Sequence, residues 1–211
     1  MSLSVLISLR RIPRFALLIL ALASLLVLPS CWVYSIEPLY EKGLSHADPD
    51  LIFDQSLVGA WTQLDNDCLW ILTITANQPA YEMNMAPAPE CKTEEKATNY
   101  EGHLVKLGSH RFLDVSPRSR EVCDLCLPLH TFFLVSQENE TIGLVPLDRD
   151  WLAQATTDKK VSLTHLATQE SYDAITLTAS SRELKEFVRK YADDKAAFKP
   201  DSGVKLKFKR R

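Results

Sequence analysis

From residue 57 onward, apolar and polar positions alternate with a period of two in short runs, and clusters of turn residues separate the runs. A period of two puts successive side chains on opposite faces of a pleated strand, so the pattern predicts strands with one buried face. Segments 57–63 and 68–75 flank Asp65-Asn66-Asp67 and read as a hairpin. Its second strand is apolar on both faces, with Leu69, Ile71 and Thr73 alternating against Trp70, Leu72 and Ile74. Segment 80–86 alternates Tyr81, Met83 and Met85 with Glu82 and Asn84, and stops at Pro87-Ala88-Pro89. Segments 100–107 and 111–115 join across Gly108-Ser109, and 130–136 and 141–147 join across Gln137-Glu138-Asn139-Glu140. Segments 161–166 and 174–178 supply a further hairpin.

The period changes near the C-terminus. Ser180 with Glu183 makes a capping box, in which each side chain satisfies a backbone donor at the helix start. Leu184, Phe187, Val188 and Tyr191 then form one apolar stripe, with Glu186 to Lys190 and Arg189 to Asp193 spaced four apart outside it. This predicts a helix over 180–198 that packs on the sheet. Beyond Pro200 and Gly203, Val204, Leu206 and Phe208 alternate with lysines as a last strand. The predicted fold is mainly β: an antiparallel barrel or curved sheet with one covering C-terminal α-helix, occupying 51–211.

Ahead of this domain, Arg10, Arg11 and Arg14 precede an apolar run over 15–28 that is broken in polarity only by Ser24. A basic start, an apolar helix and a small residue before a cut site predict an export signal over 1–30. The run falls short of the ~20 residues that span hydrocarbon, although extending it through Cys31 to Ile36 reaches that length. Leu28-Pro29-Ser30-Cys31 resembles the lipobox of bacterial lipoproteins. The resemblance implies that Cys31 is diacylated and becomes the first residue, palmitate being the usual type of chain. Trp32, where an acidic residue would retain such a protein at the inner membrane, implies delivery to the outer membrane, on its periplasmic face. Segment 31–50, with Pro38, Gly43 and Pro49 and no sustained period, reads as a lipid-anchored tether.

Composition is that of a globular protein, 46% apolar and 24% charged with 6 glycines. The net charge is −3, and 1–30 holds three arginines and no acid, so the exported part keeps 21 of the 24 basic side chains against 27 acidic ones. That excess of negative charge argues against nucleic acid as a partner. The basic tail of Lys205, Lys207, Lys209, Arg210 and Arg211 reads as an edge or terminal strand kept soluble by its charges.

Cys68, Cys91, Cys123 and Cys126 remain once Cys31 carries lipid, an even set that points to two disulfides in an oxidising compartment. Three connectivities exist; Cys68 with Cys91, brought near by a hairpin, and Cys123 with Cys126 are favoured. Only Cys123 and Cys126 have the spacing of a zinc pair, and no helix start follows them to stabilise a redox thiolate. His103, His110, His130 and His165 lack the spacing of a metal helix, and no nucleophile elbow, phosphate loop or dinucleotide fingerprint occurs. Neither catalysis nor a metal or other cofactor is expected. Asp148-Arg149-Asp150-Trp151 reads as the capped start of a short helix covering one barrel end.

Leu57-Val58-Gly59-Ala60-Trp61 is similar to the Gly-x-Trp motif of lipocalin-type barrels, whose tryptophan closes the narrow end of the barrel. The order of elements resembles that family too, running from the motif through antiparallel strands to an outer helix and a short last strand. The resemblance implies an eight-stranded barrel and, by analogy, a small apolar ligand lined by Trp61, Tyr81, Met83, Met85 and Phe132. Small barrels equally fill that space with side chains. Two functions are therefore carried forward: an envelope lipoprotein binding an apolar ligand, and a structural or partner-binding envelope lipoprotein with a packed core.

Overall fold

A computed structural model describes residues 32–41, 48–64, 68–118, 129–167, 175–199 and 206–211. The main sheet is built from β3 (Gly59–Gln63), β4 (Trp70–Asn77), β5 (Ala80–Pro87), β6 (Thr98–Leu107), β7 (His110–Pro117), β8 (Thr131–Glu138), β9 (Thr141–Pro146) and β12 (Lys207–Arg210). The spatial order β6-β5-β4-β3-β12-β9-β8-β7 returns to β6 through the β6–β7 pairing, so eight antiparallel strands close on themselves. This is the barrel that the lipocalin resemblance implies. Closure leaves the eight strands without an open edge. A short β2 (Leu51–Ile52) pairs with Leu104 and Val105 of β6, beyond the point where β5 parts from it at Gly102.

Local chemistry sets the hairpins. Gly108 at φ +66 and Asn139 at φ +51 each open a two-residue turn, between paired Leu107 and His110 and between paired Glu138 and Thr141. Positive φ at the first turn position suits the twist of the flanking strands, and Gly and Asn accept it at least cost. Cys68 and Cys91 form the expected disulfide, tying the approach to β4 to the loop after β5. Cys31, Cys123 and Cys126 lie outside the described residues.

Register divides the wall into two faces. Trp61, Leu72 and Met85 stand opposite one another across three strands, as do Leu104, Leu113 and Phe133 across three more. These residues, with Ile74, Tyr81, Met83, Val115, Val135, Ile142, Leu144 and Phe208, form one core inside the barrel. The intervening residues Val105, Leu107, Phe112 and Phe132 point outward into a second core.

A second layer covers that outer face. It comprises β1 (Val33–Ser35), α1 (Arg149–Thr157), β10 (His165–Ala167), β11 (Ile175–Leu177) and α2 (Ser181–Tyr191). α2 has the expected capping box on Ser180 and Glu183, and turns Leu184, Phe187 and Val188 into the outer core. Regular helix ends at Tyr191, short of 198, and the turns that follow bury Ala197 and Phe198.

Four expectations need correction. The basic tail is no edge strand: β12 lies between β3 and β9, paired on both sides, with Phe208 inside and Lys207 and Lys209 outside. Period-two alternation marks a strand but carries no information about its neighbours. The 161–166 and 174–178 pair forms no part of the barrel; β10 and β11 are antiparallel, but β11 also takes β1 as a parallel partner, giving a separate three-stranded sheet. α1 is capped by Asp148 as expected, yet Leu152 and Ala155 pack into the outer core and do not cover a barrel end. Residues 32–41 are no free tether, because β1 is paired and Val33 and Leu39 are buried. Their short apolar content, broken by Pro38, lacks any period, so only the existing surface beneath them decides their path.

Candidate functional site

The two ends of the barrel differ, and the difference bears on binding. At one end a 3-10 turn over Gln55–Leu57 crosses beneath the strands, N-capped by the Asp54 side chain. Tyr81 Oη accepts from the Asp54 amide at 2.7 Å, and Phe53 stacks on the Tyr81 ring with centroids 4.9 Å apart. Trp61 donates its Nε1–H to Leu57 O at 3.0 Å, and the Arg210 guanidinium lies 4.2 Å from the Trp61 ring centroid. Arg210 also donates to the carbonyls of Val58 and Ser56. Gly59 (φ +147) permits this: a Cβ there would come within 2.7 Å of the guanidinium.

Arg111 completes the closure, pairing with Asp54 and reaching Gln137, which in turn bonds Ser56. Burial alone would raise the Asp54 carboxyl. The bonds from Ser56 and the Arg111 charge outweigh it and hold the group below its ordinary value. Burial pushes the Tyr81 phenol up.

The other end is rimmed by inward-facing residues that are only partly covered, namely Met85, Tyr100 and Leu206, with Trp32 meeting Phe133 edge-on at a centroid distance of 5.6 Å. Between the two ends the inner core is closely packed. Trp61, Tyr81, Leu104 and Phe208 are 0% exposed, so no water-sized space touches them.

The five ligand-lining candidates therefore separate. Trp61 and Tyr81 form the floor, Met83 sits above Tyr81 with 5% exposure, and Met85 stands at the rim. Phe132 is on the opposite face of its strand, in the outer core, because it pairs with outward-facing Asp114 while Phe133 points inward. A one-residue shift reverses the face, and 130–136 is apolar enough on both faces to hide which is which.

The histidines are drawn into separate local contacts. His110 meets Asp193 at 3.0 Å, His103 stacks near Tyr40, and His165 Nδ1 meets Leu163 O at 2.8 Å. His130, 3% exposed, meets Asp114 at 2.6 Å, and Asp114 also accepts from the Leu39 amide at 2.6 Å. Ser35 and His130 exchange both backbone hydrogen bonds at 2.8 Å. Although a His–Asp pair is a unit of general-base chemistry, these two are sealed beneath residues 33–40 and serve to hold that segment down. Burial first, then the Asp114 and Glu101 charges, push the Tyr40 phenol far up.

Asp114→Ala is expected to cost about 1.5–3 kcal/mol, the range for a buried charge-assisted hydrogen bond. It would also speed amide exchange at Leu39 well beyond the global loss. Hydrogen exchange followed by mass spectrometry measures both, and unaltered protection over 32–41 would contradict this role.

A cleft of about 450 Å³ lies outside the barrel between the ends of α1 and α2, with Trp151, Gln154, Lys190 and Tyr191 among its lining. Its polar groups engage one another: Tyr191 Oη donates to Lys160 O, Gln154 to Asp158, and Lys190 sits over the Tyr191 ring. Among the described residues no three His, Cys, Asp or Glu side chains converge as a metal site. Sequence reasoning missed Arg210, Arg111 and Asp114; the odd outward-facing Asp in the apolar run 112–115 was the one visible sign. Compared with known protein families, curated proteins and solved structures, the chain finds no match.

Proposed function

We propose that this protein is a cell-envelope lipoprotein, exported on residues 1–30 and held at the periplasmic face of the outer membrane by a diacylglyceryl group on Cys31. It works without catalysis, through its surface, on a barrel filled by its own side chains. The observation that supports this reading is the packing of the inner core, in which Trp61, Tyr81, Leu104 and Phe208 are 0% exposed. Leu28-Pro29-Ser30-Cys31 supports the anchor. Two buried acyl chains, at about 0.8 kcal/mol per methylene, suffice for stable attachment.

A second reading keeps the small apolar ligand but moves it to the rim, where Met85, Tyr100 and Leu206 are half-covered. Residues 32–211 contain every described strand and both cores, so that fragment can be titrated in solution with the fluorescent fatty acid cis-parinaric acid. The packed reading expects no saturable one-to-one binding. Saturable binding with energy transfer from Trp61 would overturn it, whereas binding lost in Met85→Glu would favour the rim. Intact mass of the mature protein tests the anchor, with a diacylated Cys31 at the N-terminus as the expected result.

A further inference from the structure

The first described residues connect the anchor to one end of the barrel. Val33, Tyr34 and Ser35 pair with Ile175, Thr176 and Leu177 on one side, and Ser35 bonds His130 at the start of β8 on the other. Trp32 meets Phe133, whose side chain belongs to the core inside the barrel, near the end opposite the Trp61 floor. Cys31 precedes β1 by two positions in the sequence, which is at most about 8 Å of backbone at about 3.8 Å per residue. A lipid on Cys31 has no linker with which to stand the domain away from the bilayer.

We propose that this rim of the barrel is a membrane-contact surface, seated on the bilayer that anchors Cys31. This rests on the reading that Cys31 carries the lipid. The rim has the residues for it. Trp32, Met85, Tyr100 and Leu206 are half-buried apolar or aromatic side chains, and Trp70 begins β4 at the same end, opposite Pro87. Tryptophan and tyrosine favour the headgroup level, where an apolar ring and a polar edge are both accommodated.

The Cys68–Cys91 disulfide joins the two rim segments before β4 and after β5, so the contact face is braced. The segment between β5 and β6 carries Glu90, Glu94 and Glu95 with Lys92 and Lys96, which gives no net attraction to anionic lipid. The proposed contact is therefore apolar in origin, and this segment adds no attraction to anionic lipid.

The test uses the full-length lipidated protein in phosphatidylcholine vesicles carrying brominated acyl chains, with tryptophan fluorescence as the readout. The protein has four tryptophans, of which Trp32 and Trp70 are at the rim, Trp61 at the far floor and Trp151 on the outer layer. Trp32→Phe with Trp70→Phe is expected to remove about half or more of the quenching, and Trp151→Phe to leave it unchanged. Leu206→Trp adds a reporter at the rim and should gain quenching even if the double variant folds poorly. Protein that floats with vesicles yet shows no quenching from Trp32, Trp70 or the Leu206→Trp reporter would overturn the rim contact and leave the anchor standing. Protein that does not float, with no lipid on Cys31, would overturn the anchor and the rim contact together.

Discussion

Trp61→Ala is expected to lower stability by about 3–5 kcal/mol, the range for removing a large buried aromatic side chain. Trp61 is 0% exposed and sits where three segments meet. Its indole N–H holds Leu57 O of the 3-10 turn, its own strand β3 pairs with β12, and Arg210 at the end of β12 covers its ring. Truncation leaves a cavity in the floor, an unpaired carbonyl and an Arg210 without its ring, so the loss exceeds the transfer term alone. A domain is stable by only about 5–15 kcal/mol, so this variant should denature at a much lower urea concentration. Trp61→Phe keeps most of the volume and should cost less than half as much. Equal urea midpoints for the wild type and Trp61→Ala would show that the floor does not hold the barrel closed.

Lys185→Met should be comparably severe, at about 3–5 kcal/mol, because it strands a buried carboxylate. Lys185 on α2 reaches Asp48 at 2.8 and 2.6 Å and Asp50 at 2.8 Å, and the Asp48 side chain is 1% exposed. Burial alone would raise the Asp48 carboxyl and lower the Lys185 amine. Their mutual bonds, with the Glu41 and Asp50 amides on Asp48, outweigh burial, so Asp48 is held below its ordinary value and Lys185 above its own.

The signs of the pH dependence follow. Asp48 contributes stability that is fully present above its unfolded value of about 3.9 and is lost as pH falls through its lower folded value. Lys185 contributes stability that is fully present below about 10.4 and is lost as pH rises through its higher folded value. The wild type should thus show a plateau with an acid and an alkaline limb, and Lys185→Met should lose the Lys185 share of the alkaline limb while the raised Tyr40 and Tyr81 phenols keep theirs. Combining Lys185→Met with Asp48→Asn should recover much of the loss, since no unpaired charge remains buried. A double variant no more stable than the single one would contradict this origin.

The clamp also shows what could be read in advance. Lys185 is next to Leu184 on the helix and looks like one more solvated lysine between apolar positions. Its partners lie 137 and 135 residues earlier, in a stretch without periodicity. No local signal marks such a pair, because its value depends on the desolvation that the finished fold imposes on all three groups. Asp114 is similar in kind: its Leu39 partner is 75 residues away, although a lone acid in a run of apolar residues was itself a hint.

The sequence by itself determined the strands from 59 to 146, the two-residue turn at Gly108-Ser109 and the capped helix on Ser180, and it favoured the Cys68–Cys91 pairing without fixing it. Each of these rests on neighbours a few residues apart or on one hairpin, where period, turn chemistry and capping act directly. Tertiary structure alone decided that β12 completes the ring, that Phe132 belongs to the outer core, and that residues 32–41 bind the wall and carry Trp32 to the rim. Those outcomes depend on which surfaces remain uncovered once the barrel has closed. Alternation specifies that a face is apolar; only the assembled wall specifies what covers it.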